Sequence, residues 1–400
     1  MVNDLPIDFS RENPGKDAAD HGEDERYVED PRGLIAGNSV RLLRNGEVAF
    51  PAWLAAIDSA RVRVSMEMYI FNDDAIGRRF ADALARAARR GATVRLLYDY
   101  VGCRLTPREF FQELRQAGVR VSVYHGYQMG RPSLWRLFRR NHRKTLVVDG
   151  AVAFTGGLNI SNEWVAAAEG GEDWRDAAIE VRGPAVAALE TAFADTWNRR
   201  SKKRFRLTLA GGPPIGRAGD TRLAVLSNTE RGERFGIRRA VLHAIRESRW
   251  RVTVANPYFV PDGGILRLLE DCARRGIEVR VLVPLESDAD MLDAAARATF
   301  PRLIRAGVRV WRSPVVVHTK VVACDDTFVS IGTYNLDHRS LAYNLELVVN
   351  VLDRPFAAAT SHMLDTEIAA AVEIEGAAFG RRPLLSRALE RGALALRRWL

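Results

Sequence analysis

The residues that decide the fold occur twice, as HRKTLVVDGAVAFTGGLN at 142–159 and HTKVVACDDTFVSIGTYN at 318–335. Both copies contain His-x-Lys-x4-Asp followed by Gly-x-x-Asn, and each member of the second copy lies 176 residues after its counterpart. One such match in 400 residues is weak evidence for any function, whereas two matches in register are not a chance event. The sequence therefore predicts an internal duplication with one motif in each half.

The spacing inside each copy predicts its local structure. His142 and Lys144 are two positions apart on an apolar strand, so both side chains point to one face. Asp149 and Gly150 are a hairpin signal, after which the returning strand brings the Gly-x-x-Asn segment to the sheet edge. The candidate site residues are His142, Lys144, Asp149, Gly156 and Asn159 in the first copy, and His318, Lys320, Asp325, Gly332, Thr333 and Asn335 in the second.

A β-α-β pattern also occurs in both halves. In the first half, a strand at 62–71 precedes a helix that begins at Asp73 or Asp74 and ends at Gly91. A second strand follows at 93–98, and the second half repeats the pattern with a strand at 251–259, a helix at 264–275 and a strand at 278–283. These buried strands predict an α/β fold with two pseudo-symmetric halves, each a mixed, mostly parallel sheet flanked by helices.

Composition predicts how the rest of the chain is divided. Residues 1–36 are expected to be a disordered acidic tail, because they contain ten acidic and four basic residues and little apolar periodicity. A stretch with basic residues, Gly and Pro at 206–219 predicts a linker between a first half at 37–205 and a second half at 220–375. Residues 376–400 are predicted to be an amphipathic segment, which lies either on a membrane surface or on the protein's own core.

The side chains of the duplicated motif suit the chemistry of a phosphate diester. A lysine neutralises the non-bridging oxygens, while an asparagine and backbone N–H groups donate to the charge that develops in the transition state. A neutral imidazole attacks phosphorus, and a protonated imidazole gives a proton to the leaving oxygen. Because each half supplies only one imidazole, we expect the two halves to form one composite site.

Two pairs of carboxylates accompany the histidines. Asp176 and Glu346 each begin a β-rich run after a Gly-x-x-Asn segment, and they are candidates to orient the imidazoles and stabilise their charged form. Asp149 and Asp325 belong to the motif but lie at its predicted turns. We interpret these two as structural residues, with a catalytic role as the alternative.

The charge of the chain favours an anionic partner. The net charge is +9, and the residues after the acidic tail carry +15. Nucleic acid, anionic lipid headgroups and acidic metabolites all meet this requirement. Apolar runs are shorter than the ~18 residues that span a bilayer, and the N-terminus has no secretory signal, so we expect a cytoplasmic protein with at most peripheral membrane contact. The three cysteines have spacings that predict neither a disulfide framework nor a zinc site.

An aromatic and basic stretch, RPSLWRLFRRNHRK at 131–144, runs directly into the first motif. We interpret it as an interfacial element whose apolar groups enter lipid while its arginines meet headgroups. A solvated basic loop and a surface for nucleic acid are the alternatives.

The paired motifs resemble those of the phospholipase D superfamily. Further segments resemble its bacterial cardiolipin synthase branch, in the short form without transmembrane helices: MEMYIFNDD at 66–74, DWRDAAIEVRGPAV at 173–186 and ANPYFVPD at 255–262. The likeness covers residues 37–375 approximately. The chain departs from the more common Gly-Ser-x-Asn form of the family at Gly157, whereas Thr333 in the second copy keeps a hydroxyl.

The resemblance implies a phosphatidyltransferase that makes cardiolipin from phosphatidylglycerol, with phosphatidylglycerol or phosphatidylethanolamine as the second donor. It implies a phosphohistidine on His142, with His318 as acid and then base, and neither a metal nor a cofactor. The implied partners are anionic phospholipid and the cytoplasmic face of the bacterial inner membrane, bound peripherally, without an obligate nucleic acid. The alternatives are a hydrolase or nuclease with the same motifs, and a non-catalytic membrane scaffold, which has no need of two imidazoles.

Overall fold

The computed structural model describes residues 23–125, 139–209, 215–229, 234–287, 289–376, 379 and 381–397. Within these residues the strands join one sheet of fifteen. The strands are β1 Ile35–Arg44, β2 Arg63–Met68, β3 Thr93–Asp99, β4 Arg120–Tyr124, β5 Thr145–Val148, β6 Val152–Gly156, β7 Ala177–Arg182, β8 Thr221–Ser227, β9 Arg251–Ala255, β10 Glu278–Pro284, β11 Arg309–Ser313, β12 Val321–Cys324, β13 Phe328–Gly332, β14 Leu347–Leu352 and β15 Val372–Glu373. The α-helices with described bounds are α1 Asn45–Ser59, α2 Ala75–Arg89, α3 Arg108–Gln116, α4 Val186–Arg200, α5 Gly236–Glu247, α6 Gly263–Arg274, α7 Asp290–Arg305, α8 His338–Ala342, α9 Arg354–Ala369 and α10 Leu384–Ala395.

The order of the strands shows the duplication directly. It is β15-β11-β10-β9-β12-β13-β14-β8-β1-β7-β6-β5-β2-β3-β4, and β1 and β8 pair antiparallel at its centre, with Ile35 opposite Leu223. Outward from this pair, β7, β6, β5, β2, β3 and β4 on one side correspond to β14, β13, β12, β9, β10 and β11 on the other. The predicted mixed α/β fold with two pseudo-symmetric halves is therefore confirmed.

The expectation that the strands of each half are mostly parallel is wrong. Of the fourteen strand pairings in the described part of the chain, only β2-β3, β3-β4, β9-β10 and β10-β11 are parallel. A parallel pair needs a crossover connection, and in each half helices supply such crossovers only to the three outer strands. The motif hairpin and the strand that follows it add antiparallel strands to this unit, and the pairing of β1 with β8 joins both halves into one sheet.

The first crossover helix begins and ends at the residues that the sequence indicates. The side chain of Asp74, one of the two candidate caps, accepts a hydrogen bond from the Gly77 N–H at 2.8 Å. The apolar face of α2, including Ile76 and Phe80, is buried in the core of the first half. The chain leaves the helix at Gly91, where a φ of 97° favours glycine.

The N-terminal prediction of disorder is wrong for residues 23–36. Residues 1–22 lie outside the described part of the chain, but Glu23–Tyr27 form a 3-10 turn and β1 begins at Ile35. The Tyr27 side chain is fully buried, its hydroxyl donates to Asp325 Oδ2 at 2.7 Å, and its ring stacks on Phe328 with centroids 6.0 Å apart. One buried aromatic with a hydrogen-bonded hydroxyl thus anchors a segment whose acidic composition suggested no core contact.

A core on one face of the sheet joins the two halves. It contains Val147 and Ile179 from the first half together with Val317 and Val349 from the second, while each half has a further core of its own. The cysteines Cys103, Cys272 and Cys324 are buried and free. No helix in the described ranges has the length and apolar character that crossing a bilayer requires.

Candidate active site

The two motif histidines lie where each half bonds to the other. The His142 N–H donates to the Leu345 carbonyl at 3.0 Å, and the His318 N–H donates to the Arg175 carbonyl at 2.7 Å. Residues 141 and 345, and residues 175 and 317, form isolated parallel bridges outside the strands. The histidines themselves lie in extended chain just before β5 and β12, because these strands begin at Thr145 and Val321 and not at the motif.

Each bridge brings a carboxylate of one half to the imidazole of the other. His142 Nδ1 lies 3.1 Å from Glu346 Oε2 and 3.1 Å from the Thr333 carbonyl. His318 Nδ1 lies 2.7 Å from Asp176 Oδ2. An Nδ1–H that donates to a carboxylate leaves a lone pair on Nε2 for chemistry. The sequence singles out both carboxylates, and the structure adds that the pairing is crossed between the halves.

Burial favours the neutral form of both imidazoles. Removal from water lowers the pKa of His142, and the neighbouring Lys144 ammonium lowers it further. Burial, followed by the charge of Lys320, lowers the pKa of His318 to about 4. A bound phosphodiester brings a negative charge, and an opposite charge within about 4–6 Å favours the imidazolium.

The motif lysines are buried beside the histidines. Lys144 Nζ donates to the His142 carbonyl at 2.8 Å. Lys320 Nζ lies 2.7 Å from His318 Nδ1 and 3.9 Å from Asp176 Oδ2. Burial and the nearby Lys320 charge lower the pKa of Lys144 to about 7. An anion bound beside the two lysines would offset part of the cost of burying their charge.

The carboxylates remain ionised although they are buried. Burial alone raises the pKa of Asp176, but Lys320 and His318 outweigh it, and the pKa lies below its ordinary value. In the same way, His142 and Lys144 outweigh the burial of Glu346 and lower its pKa. Near neutral pH each dyad is therefore a carboxylate with a neutral imidazole.

The two halves support their carboxylates with different donors. In the second half the Thr333 hydroxyl donates to Glu346 Oε2 at 2.5 Å. In the first half the corresponding residue is Gly157, where a Cβ would lie only 2.1 Å from Asp176 Oδ1. There the Trp164 indole N–H donates to Asp176 Oδ2 at 3.0 Å instead. The Trp164 indole N–H therefore supplies the hydrogen bond that a hydroxyl side chain at residue 157 would otherwise donate.

The Gly-x-x-Asn residues divide into packing and polar positions. Gly156 and Gly332 have no room for a Cβ, which would lie 2.4 Å from the Ala177 carbonyl and 2.2 Å from the Leu347 carbonyl respectively. Both asparagines are buried. Asn159 Oδ1 accepts from the Ile70 N–H at 3.1 Å, while Asn335 Oδ1 has no hydrogen-bond partner among the described residues. Gly156 and Gly332 are therefore needed for the close approach of neighbouring strands, and this explains them better than a direct contact with phosphate.

A catalytic role for Asp149 and Asp325 does not fit their positions. Asp149 accepts the N–H groups of residues 61, 62 and 63 at 2.7–2.8 Å. Asp325 accepts those of residues 249, 250 and 251 at 2.6–2.9 Å. Each lies five residues beyond its lysine, on the order of 15 Å along an extended chain, at a turn with positive φ. Both carboxylates hold the hairpin to the start of the neighbouring strand.

Aromatic side chains enclose the histidines, and the sequence alone does not single them out. The Tyr69 ring meets His142 edge-on with centroids 4.9 Å apart, and His318 has Trp164 at 5.1 Å, Trp174 at 5.6 Å and Tyr258 at 6.2 Å. One signal was present for the tyrosines: each lies shortly after the first strand of its β-α-β unit, in YIFND and YFVPD. The tryptophans have no such repeated signal.

The interfacial element expected at 131–144 lies largely outside the described residues, which exclude 126–138. Of its end, Arg140 is buried and its backbone carbonyl accepts from the Leu345 N–H at 2.8 Å. In the described ranges no group of three or more His, Cys, Asp or Glu side chains is placed to hold a metal ion.

Comparison with known proteins identifies relatives along most of the chain. The family model described as "Cardiolipin synthase, PLD-like domain" matches residues 53–197 and 241–367. Cardiolipin synthase A of Pseudomonas putida (strain GB-1) is 35% identical over 341 residues, which are 85% of this chain and 70% of that protein. Cardiolipin synthase A of Pseudomonas aeruginosa (strain LESB58) is 35% identical over 342 residues, 85% of this chain and 69% of that protein.

Among solved structures, phosphatidylserine synthase of Haemophilus influenzae Rd KW20 has a similar fold. It superimposes with a TM-score of 0.69 over 90% of this chain and 95% of its own, at 12% sequence identity. Polyphosphate kinase of Porphyromonas gingivalis gives a TM-score of 0.51 over 82% of this chain and 50% of its own, at 14% identity. At these identities the likeness is one of fold.

Proposed function

The chain belongs to the family of phospholipase D-like domains of cardiolipin synthases, and we propose that it is a transphosphatidylase that makes cardiolipin from phosphatidylglycerol. The observation that carries this proposal is the crossed pairing of His142 with Glu346 and of His318 with Asp176. It supplies two oriented imidazoles in one site, which is what a two-step exchange at phosphorus requires.

In the first step, Nε2 of His142 attacks the phosphorus of a phosphatidylglycerol. The bond from phosphorus to the headgroup glycerol oxygen breaks, and the imidazolium of His318 gives its proton to that oxygen. Glycerol leaves, and a phosphatidyl group remains on His142. The Lys144 and Lys320 ammonium groups stabilise the charge on the non-bridging oxygens.

In the second step, His318 is neutral and takes the proton of the acceptor hydroxyl. If the acceptor is the headgroup glycerol of a second phosphatidylglycerol, its oxygen attacks the phosphorus and the bond to His142 breaks. The product is cardiolipin, and His318 carries the proton that the next cycle needs. The pKa of both histidines is lowered, so electrostatics does not distinguish them. The resemblance to the family assigns the nucleophile to His142.

We further propose that the protein acts peripherally at the cytoplasmic face of the bacterial inner membrane, where its anionic phospholipid substrates lie, and needs no nucleic acid. We also propose that the chain consists of two halves, at 37–205 and 220–375, joined by a linker at 206–219.

The experiment is to supply liposomes of phosphatidylglycerol and measure cardiolipin and glycerol in equal amounts. Phosphatidylethanolamine added to the liposomes tests the second donor, because its use would release ethanolamine. Cleavage of bis-p-nitrophenyl phosphate or DNA without any cardiolipin would replace the synthase with a hydrolase or nuclease. Phosphatidic acid as the main lipid product would identify a phospholipase D hydrolase.

A further inference from the structure

The C-terminal helix α10 has its apolar side turned away from the protein. Leu384, Leu385 and Leu389 are 78%, 73% and 65% exposed, and Leu396 just beyond the helix is 49% exposed. At 100° per residue these leucines share one side with Ala388, Gly392 and Ala395. A surface helix ordinarily turns such a side to the core.

The opposite side of α10 attaches it to the protein through Glu390, Ala393 and Leu394. Glu390 is only 5% exposed and accepts hydrogen bonds from Arg297 Nε of α7, at 3.1 Å, and from Arg382. Ala393 is buried in the core of the second half. Leu394 also packs against this core. The helix is therefore held on this side, and Leu384, Leu385 and Leu389 on the other side stay exposed. An exposed apolar patch of this kind marks an interaction surface.

Charge distinguishes between the possible occupants of this surface. Residues 376–400 contain six arginines and one acidic residue, Glu390, whose charge is already paired. A second copy of the chain would bring a surface of the same positive charge. An anionic bilayer instead offers negative headgroups to the arginines and an apolar interior to the leucines.

The end of the helix lies beside the second half-site. Arg397 lines a small cavity together with Tyr334 and Asp337, from the loop that also carries Asn335, and His338, the first residue of α8. A surface bound by α10 is therefore close to the loop that follows the second motif.

We propose that α10 is a membrane-docking helix whose exposed leucines enter the headgroup and acyl boundary of an anionic phospholipid bilayer. The proposal rests on the lipid substrate of the proposed function. It adds which surface of the protein meets the membrane, and it places the second half-site next to the headgroups.

The test is binding to vesicles, measured by co-sedimentation with the full chain. Vesicles contain either phosphatidylcholine alone or phosphatidylcholine with phosphatidylglycerol. We expect binding only with phosphatidylglycerol, and a loss of at least tenfold in the variant Leu384→Ser/Leu385→Ser/Leu389→Ser. The matched control is Val62→Ser, which changes an apolar residue that is 59% exposed beside the Asp149 turn and is expected to bind as the unchanged protein does.

A second variant tests the charge. Arg391 is exposed on α10, and Arg391→Gln is expected to weaken vesicle binding and to reduce its dependence on salt. Turnover of a short-chain phosphatidylglycerol below its micellar concentration should be unchanged in the serine and glutamine variants, which shows that the site has folded.

Two results would overturn the proposal. Vesicle binding of the triple serine variant equal to that of the unchanged protein would do so, as would a dimer that the serine substitutions dissociate while vesicle binding persists. These outcomes are separate from failure of the proposed function. If the protein makes no cardiolipin but the serine substitutions still abolish vesicle binding, the docking helix is supported and only the proposed synthase activity is rejected.

Discussion

His142 Nδ1 lies 3.1 Å from a carboxylate oxygen of Glu346, which is 204 residues further along the chain. The second dyad runs in the opposite direction, since His318 is oriented by Asp176, 142 residues before it. Neither half holds the carboxylate for its own histidine. The duplication therefore produces one site and not two, and the mutual dependence of the halves has measurable consequences.

Replacement of either orienting carboxylate by its amide is expected to lower kcat by about 1,000- to 10,000-fold. The cause is that an amide N–H facing Nδ1 favours the wrong tautomer, in which Nε2 is protonated and has no lone pair. The measurement is turnover of phosphatidylglycerol by Glu346→Gln and Asp176→Asn, with thermal unfolding as the control for folding. Turnover within tenfold of the unchanged protein in either variant would remove the crossed dyads from the mechanism.

The unequal support of the two carboxylates gives a matched pair of variants. Trp164→Phe removes the indole donor to Asp176, and Thr333→Val removes the hydroxyl donor to Glu346. Each loses one hydrogen bond to a charged group, about 1.5–3 kcal/mol, so we expect kcat to fall roughly 10- to 100-fold with little change in KM.

The pH profile separates this positioning role from a packing role. Loss of a donor to the charged form raises the pKa of the carboxyl, so the acid limb of the kcat profile should move to higher pH in both variants. An altered KM with an unmoved acid limb would show that Trp164 acts on substrate binding instead.

The motif aspartates are expected to contribute to stability and not to turnover. Asp149→Asn keeps a residue that tolerates positive φ but weakens acceptance of three backbone N–H groups, so the free energy of unfolding should fall by about 1–3 kcal/mol. Denaturation in urea measures this fall, and kcat per folded molecule should stay within twofold. A stable variant without turnover would return Asp149 to the catalytic set.

Glu67 makes stability depend on pH. It is fully buried, accepts from Asn141 Nδ2 at 2.6 Å, and burial raises its pKa from 4.5 to about 7. Because the folded pKa is the higher one, the stabilisation by protonated Glu67 is complete below pH 4.5 and is lost as the pH rises through 7. Glu67→Gln stays neutral, so the unchanged protein should lose about 2.5 kcal/mol relative to it between pH 5 and 8. Unfolding curves at both pH values measure this, and an equal difference at each would contradict it.

Local features of the fold were predictable because short-range physics decides them. The cap at Asp74 and the positive φ values at Asp149 and Gly150 follow from side-chain preferences within a few residues. The repeated motif likewise predicts the pseudo-symmetry. The prediction of a mostly parallel sheet is wrong, because apolar runs do not distinguish a crossover from a hairpin when strands are buried on both faces.

The remaining features depend on contacts between distant parts of the chain. The sequence indicates Asp176 and Glu346 as orienting groups, but their crossing is decided by the β1-β8 join and the two isolated bridges. Trp164 has no counterpart in the second half, so the repeat does not indicate it. Its hydrogen bond to Asp176 depends on where that carboxylate lies, in a space that a Cβ at residue 157 would fill. The burial of Tyr27 was likewise not predicted, because its hydrogen-bond partner Asp325 lies 298 residues away.

The most direct test of the divided roles is to trap the covalent intermediate. Phosphatidylglycerol labelled in its phosphate is mixed with His318→Ala and with His142→Ala, and the labelled peptide is identified under alkaline conditions that preserve phosphohistidine. We expect acid-labile label on His142 in His318→Ala, because the base of the second step is missing, and no label in His142→Ala. Label on His318 in His142→Ala, with none on His142 in the other variant, would contradict the assignment and reverse the roles of the two halves.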